Sequence, residues 1–154
     1  MAPPGALALA VAAHFVFGAL YYSPVMVGDL FFRLSYGADY KKVMKQNEAE
    51  GMLGGVAAAF LGCVGYVAAC GFAIDAVGAA SRPEAVAVEL TLTLAGESQW
   101  IAHHLFERRP SSVQLIHIAG HIVEALMVGA ILGSWASRRA VGSEALRPAR
   151  LKSH

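Results

Sequence analysis

Four stretches of this chain, each about twenty residues long and nearly free of charge, limit its fold more than any other feature. A hydrocarbon core of about 30 Å takes roughly 20 apolar residues as an α-helix. Inside lipid the backbone must satisfy its own hydrogen bonds, which leaves only helices or closed barrels. The stretches run from Pro4 to Tyr22, from Met52 to Ile74, from Ala85 to Leu105 and from Val113 to Trp135. None alternates apolar and polar residues as a barrel strand does. The pattern predicts an all-α polytopic membrane protein with four transmembrane helices in residues 1–136 and a basic polar tail at 137–154. Only 15% of the residues are charged, against about 25% in soluble domains. Met1 to Ala13 holds no Lys or Arg, so the first stretch reads as a retained span rather than a cleaved leader.

The connections add detail. Tyr21 and Tyr22 close the first span where aromatic rings suit the headgroup level, and Ser23-Pro24 breaks the helix. Met26 to Leu34, apolar and aromatic with Asp29 and Arg33 interposed, predicts an interfacial amphipathic segment between helices one and two. Asp39 to Glu50 is charged and should face water. Short links, Val77 to Glu84 and Phe106 to Ser112, set helix two antiparallel to three and three antiparallel to four. Orientation is tied: Arg82 and the tail's Arg138, Arg139, Arg147, Arg150 and Lys152 lie on one side, and Arg33, Lys41, Lys42, Lys45, Arg108 and Arg109 on the other. Cys63 and Cys70, about 10 Å apart on one helix, are too distant for a disulfide and read as packing residues.

Three pieces occur in order: Gly18-Ala19-Leu20-Tyr21-Tyr22-Ser23-Pro24 before an aromatic segment with Arg33, Phe106-Glu107-Arg108-Arg109-Pro110 between spans three and four, and His121 followed by Met127-Val128-Gly129-Ala130-Ile131-Leu132-Gly133. Together they resemble the membrane-protein family catalogued as domain of unknown function 1761, over about residues 8 to 135. The chain departs from that pattern with Tyr21 in place of Trp, and with Glu124 in place of an apolar or small residue. The resemblance implies a four-helix membrane fold and no established activity.

Ionisable side chains interrupt the apolar spans, where each costs roughly 2.5–3.5 kcal/mol on the lenient insertion scale. Glu89, Thr93, Glu97, Trp100 and His104 share one face of helix three; Gln114, His117, His121 and Glu124 share one face of helix four. Folding these helices about their short link sets His104 near the level of His117, and Glu97 near that of His121. His14 falls near the middle of helix one. The cluster His14, Glu97, His104, His117, His121 and Glu124 supports three readings. It can be an internally hydrogen-bonded set that fixes helix register. It can be a proton or cation path, since carboxylates and imidazoles take and release protons. It can also be a metal or haem site, with His117 and His121 at i, i+4 and Glu124 as candidate ligands. Helix two differs: Gly51, Gly55, Ala58 and Gly62 form a small-residue row that allows close helix packing, in the chain or with a partner.

With a formal net charge of +1 and no phosphate loop, dinucleotide glycine pattern or nucleophile elbow, nucleic-acid binding and soluble-enzyme classes have no support. A bond-making enzyme on lipid or quinone, with His and Glu as an acid–base pair, would lack a nucleophile constellation. The leading expectation is a non-catalytic accessory or scaffold subunit of a larger, energy-transducing membrane complex, without a dedicated cofactor. Its partners would be the lipid bilayer and other membrane subunits or a second copy. A bacterial inner membrane or an organellar (mitochondrial) inner membrane is the expected location. The alternative is a proton or metal-ion transporter that uses the midplane Glu/His cluster.

Overall fold

A computed structural model describes residues 2–49, 53–107 and 109–150, without the side chains of 47–49, 104–105 and 139–150. Among the described residues the chain is all-α: α1 (Pro4–Tyr21), α2 (Gly28–Tyr36), a 3-10 turn (Gly37–Asp39), α3 (Tyr40–Ala49), α4 (Leu53–Ala76), α5 (Arg82–Phe106) and α6 (Ser111–Arg150). Three of these are long and apolar enough to cross a membrane: Pro4–Tyr21, Leu53–Ala76 and Ser111–Arg138. The expected count was four. The expected third span forms as α5, which at 25 residues has the length. Its apolarity falls short because Glu84, Glu89 and Glu97, together with Ser98-Gln99, interrupt the run.

Local sequence explains where the helices stop. Pro4 opens α1, where the N–H it lacks would have no helical partner. After α1 the chain reverses tightly, with Val27 N–H donating to Tyr21 O and Gly28 N–H to Ser23 O. A Cβ on Gly28 would lie 2.1 Å from Tyr22 O, so only glycine lets α2 start there. At the end of α4, Ala79 N–H donates to Ile74 O and Gly78 N–H to Asp75 O. Gly78 has a φ of 72°; this is the Schellman closure, which needs the left-handed conformation that glycine adopts without strain. α5 opens with a capping box. Glu84 Oε2 accepts from Ala80 N–H (2.7 Å) and Ser81 N–H (3.1 Å), and Glu84 N–H donates to Ser81 Oγ. These backbone donors hold the exposed Glu84 carboxyl below the usual carboxylate range. α6 is continuous through residues 136–137 to Arg150.

Packing joins α5 to α6 along most of their length, α6 to α1, and α1 to α4; α4 meets α5 only lightly. Ala10, Val67, Cys70, Ile74, Ala85, Val128 and Leu132 form the apolar core. The closest approach is between α5 and α6. A Cβ on Gly129 would lie 2.8 Å from Val86 Cα, and one on Gly133 would lie 2.8 Å from Arg82 Cα. The small-residue row on α4 occupies a different place. Gly55, Ala58 and Gly62 are exposed, a Cβ on Gly55 or Gly62 would meet nothing within 4 Å, and Gly51 lies outside the described residues. Outward faces are apolar, with Leu9 and Leu20 on α1, Leu61 and Phe72 on α4, and Leu115 and Leu126 on α6 exposed. The buried polar side chains are Glu89, Thr93, Glu97, Gln114 and Glu124. Apolar outside and polar inside is the distribution expected of a membrane protein.

Candidate functional site

The polar interior is built from α5 and α6 and completed by α1 and α4. Glu89, Thr93 and Glu97 recur every fourth residue on α5, so one face carries all three inward. Leu94 and Ile101 lie off that face and are exposed, and Trp100, near its end, is partly exposed at the cleft. Glu97, only 6% exposed, is held on both carboxyl oxygens. His121 Nδ1 and Glu97 Oε1 share a hydrogen bond of 2.5 Å, and Gln114 Nε2 donates to Glu97 Oε2 at 3.3 Å. Glu97 and His121 thus meet across the α5–α6 contact at one depth.

His117 lies one turn from His121, with ring centroids 5.9 Å apart. It faces α1 and α2. Its Nδ1 shares a 2.7 Å hydrogen bond with the Tyr22 hydroxyl, and its ring packs edge-on to Phe31 at 5.0 Å. The side chain of His104, expected at this level, lies outside the described residues. Tyr21 and Tyr22 turn into the bundle instead of reaching out to headgroups. The Tyr21 hydroxyl donates to Ile116 O at 2.8 Å, and its ring covers Gly120, where a Cβ would lie 2.7 Å from the ring edge.

A second polar group lies between α4 and α5. The Tyr66 hydroxyl donates to Glu89 Oε2 at 3.2 Å and shares a hydrogen bond of the same length with Thr93 Oγ1. Glu89 is fully buried, and its Oε1 has no hydrogen-bond partner among the described residues. His14 on α1 leans on the Tyr66 ring at 5.0 Å, and its buried Nδ1 likewise has no partner. Tyr66 was not singled out by the spacing arguments. Its one sequence signal is that it is a hydroxyl-bearing ring in the middle of the Gly/Ala-rich α4.

The two groups meet at a cleft of about 490 Å³ where α4 and α5 part, with α1 and α6 behind it. His14, Tyr66, Glu97, Trp100, His121 and Glu124 line it. Glu124 is 7% exposed and has no hydrogen-bond partner among the described residues. It points toward α1 and lies beside Gly18, where a Cβ would come within 3.4 Å of Glu124 Oε1, an ordinary contact. So His14, Glu97, His121 and Glu124 converge on one space, and His117 belongs to a neighbouring group with Tyr22 and Phe31. Of the proposed metal ligands, His121 Nδ1 is engaged by Glu97 and His117 Nδ1 by Tyr22. Among the described residues no three His, Cys, Asp or Glu side chains converge as a metal shell.

Every ionisable group in this interior is a carboxyl, an imidazole, a phenol or a thiol. The chain's lysines and arginines all lie outside the apolar stretches, at its helix ends and links. The site can therefore hold and pass protons, or accept a positive charge, and it has no fixed cation to neutralise its three buried carboxyls.

Residues 6–133 match the family described as "Protein of unknown function (DUF1761)". No curated protein matches the chain, and no solved structure does.

Proposed function

We propose, for a chain that belongs to the family of unknown function DUF1761, that it is a small membrane protein which takes up and releases protons at an intramembrane Glu97–His121–Glu124 site. In this reading α5 is the fourth membrane-embedded helix. Its carboxyls are shielded from lipid because α6, α1 and α4 cover them, and it turns Leu94 and Ile101 outward. The observation that carries the reading is the partly buried hydrogen bond between Glu97 and His121 beside a second, buried carboxyl, Glu124, that has no hydrogen-bond partner among the described residues. A purely structural pair needs no such neighbour. A proton site benefits from one, because a proton can be passed between groups of different affinity.

The row Tyr22, His117, His121, Glu97, Thr93, Tyr66 and Glu89 supplies groups that can each hold or relay a proton. Hydrogen bonds and one ring contact link Tyr22 through His117 and His121 to Glu97, and separately Thr93 through Tyr66 to Glu89; Glu97 and Thr93 lie one turn apart on α5. A bacterial or organellar inner membrane, which maintains a proton gradient, is the setting in which such a row has work to do. The role is transfer and binding, not bond-making catalysis. Reconstitution into liposomes with an entrapped pH dye tests it. An imposed potential should drive proton movement in the wild type and at least tenfold less in Glu97→Gln, His121→Ala or Glu124→Gln. Equal movement in all four proteins would sink the proposal.

A second reading, as a subunit that docks on a partner, is favoured by one observation. The small-residue row Gly55, Ala58 and Gly62 on α4 is exposed, and a Cβ at Gly55 or Gly62 would meet nothing within 4 Å among the described residues. Such rows permit close helix association in lipid. The two readings are compatible, since a four-helix carrier gains an enclosed path by pairing. Migration only as a single chain in mild detergent would count against the docking reading.

A further inference from the structure

The cleft differs from a simple proton site in shape and lining. At about 490 Å³ it lies in the range of pockets that bury drug-sized molecules, roughly 300–1,000 Å³. Its entrance is between α4 and α5, which touch only lightly. Leu92, 42% exposed, and Trp100, 57% exposed, stand at that entrance, on the surface where acyl chains would lie. Its floor is acidic. Glu97 is already bonded on both oxygens, which leaves Glu124, more than nine-tenths buried, to meet a ligand. The Tyr66 and Trp100 rings flank the same space, and aromatic faces attract cations within about 6 Å, more strongly where water is excluded.

We infer that the cleft binds a lipophilic organic cation, an amine or onium compound with bulky apolar groups, which enters from the bilayer between α4 and α5 and sets its positive charge against Glu124. The inference rests on the proton-site reading above and names the ligand class that the same site takes. Each part of the ligand has a counterpart. The carboxyl at the floor answers the charge. The rings of Tyr66 and Trp100 answer its delocalised face. The apolar entrance answers its bulk. A hydrated inorganic ion would leave the apolar and aromatic walls with nothing to do. An anion would meet two carboxyls. Uptake of the cation sets a positive charge against the Glu124 carboxyl, which no lysine or arginine in the apolar stretches faces. The other ionisable groups facing Glu124 are His14, Tyr21 and Tyr22 from α1, Cys63 from α4, Glu97 from α5 and His121 from α6.

Titration of the purified full chain in mild detergent with tetraphenylphosphonium, followed by calorimetry and by tryptophan emission, tests this. Saturable binding at one site per chain is expected, with affinity at least tenfold lower in Glu124→Gln. Tetraphenylborate, of the same shape and opposite charge, should not compete. If Glu124→Gln proves unfolded by circular dichroism, Leu92→Trp, at an exposed position on the rim, should narrow the entrance and weaken binding by the same order. No saturable binding to the folded wild type, wild-type affinity in the folded variants, or equal binding of tetraphenylborate would each overturn the inference. Proton movement that depends on Glu97, with no binding of the phosphonium, would overturn the ligand class and leave the proton site standing. Charge-selective binding without proton movement would overturn transfer and leave the cation site standing.

Discussion

The same substitution, glycine to alanine, should have opposite effects on the two glycine-bearing faces of this bundle. In a helix interior alanine is favoured over glycine by roughly 0.5–1 kcal/mol. At Gly62 on α4 a Cβ meets nothing within 4 Å, so Gly62→Ala should stabilise the chain by about that amount. At Gly133 on α6 the new Cβ would lie 2.8 Å from Arg82 Cα and 2.8 Å from Ala85 Cβ. A backbone atom cannot rotate away, so α5 and α6 must separate, and overpacking of this kind costs about 1–3 kcal/mol. Set against the propensity gain, Gly133→Ala should be neutral to destabilising by ~2.5 kcal/mol. The difference between the two variants, from which propensity cancels, should be about 1–3 kcal/mol. Unfolding in mixed micelles by titration with a denaturing detergent, followed by loss of helicity, measures both. Equal shifts of the same sign would refute the claim that α6, and not α4, supplies the close contact. The ratio of protein to detergent adds a second readout. If α4 docks on a partner copy, the effect of Gly62→Ala will depend on that ratio, and the effect of Gly133→Ala will not.

Two further outcomes follow. A double-mutant cycle of Glu97→Gln and His121→Ala, read by the same unfolding assay, should give a coupling of about 0.6–1.7 kcal/mol, the range for hydrogen bonds between membrane helices; additive effects would mean the pair is not formed. At the start of α5, Ser81→Ala should cost about 1 kcal/mol through loss of the cap. The Glu84 half of that box has its own pH signature. Its carboxyl titrates lower folded than unfolded, so its contribution is complete above the ordinary carboxylate range and fades as pH falls through the folded value. Acid should therefore destabilise the wild type more than Glu84→Gln, and parallel acid profiles would rule the capping role out.

What the chain disclosed in advance tracks which physics acts locally. Lengths and ends of α1 and α4 and the start of α6 followed from apolar runs bounded by Ser23-Pro24, the Val77–Glu84 link and Pro110, because chain stiffness and lipid solvation act on contiguous residues; α6 runs on to Arg150, past the expected end at Trp135. The inward face of α5 was legible for the same reason: Glu89, Thr93 and Glu97 obey one period. Ala85 to Leu105 reads as a fourth span, yet the same carboxyls that mark the inward face of α5 lower its apolarity below that of the other three. The row of glycines was misleading for a different reason. Ala58 and Gly62 on α4 and Gly129 and Gly133 on α6 are alike as spacings, and only tertiary packing decides that a Cβ at Gly62 meets nothing within 4 Å while one at Gly129 or Gly133 meets α5. Tyr22 and Tyr66 were hidden likewise. Tyr22, at a span end, is read outward by default, and Tyr66, inside the Gly/Ala-rich α4, carries no spacing signal, yet both hydroxyls reach inward to His117 and Glu89.

The magnitudes bear on whether the buried acids serve stability. Each ionisable group at mid-span costs roughly 2.5–3.5 kcal/mol on the insertion scale, and a hydrogen bond between helices returns on average about 0.6. Glu97, with bonds to His121 and Gln114, recovers a fraction of its cost, and Glu89, with Tyr66, recovers less. Glu124 recovers nothing from hydrogen bonds within the described residues. An apolar residue of similar volume at 124 would pack against α1 without that cost. A carboxyl whose burial is not offset from within the chain must be offset from outside it. In a low-dielectric interior with no lysine or arginine, only a proton or an incoming cation can do that.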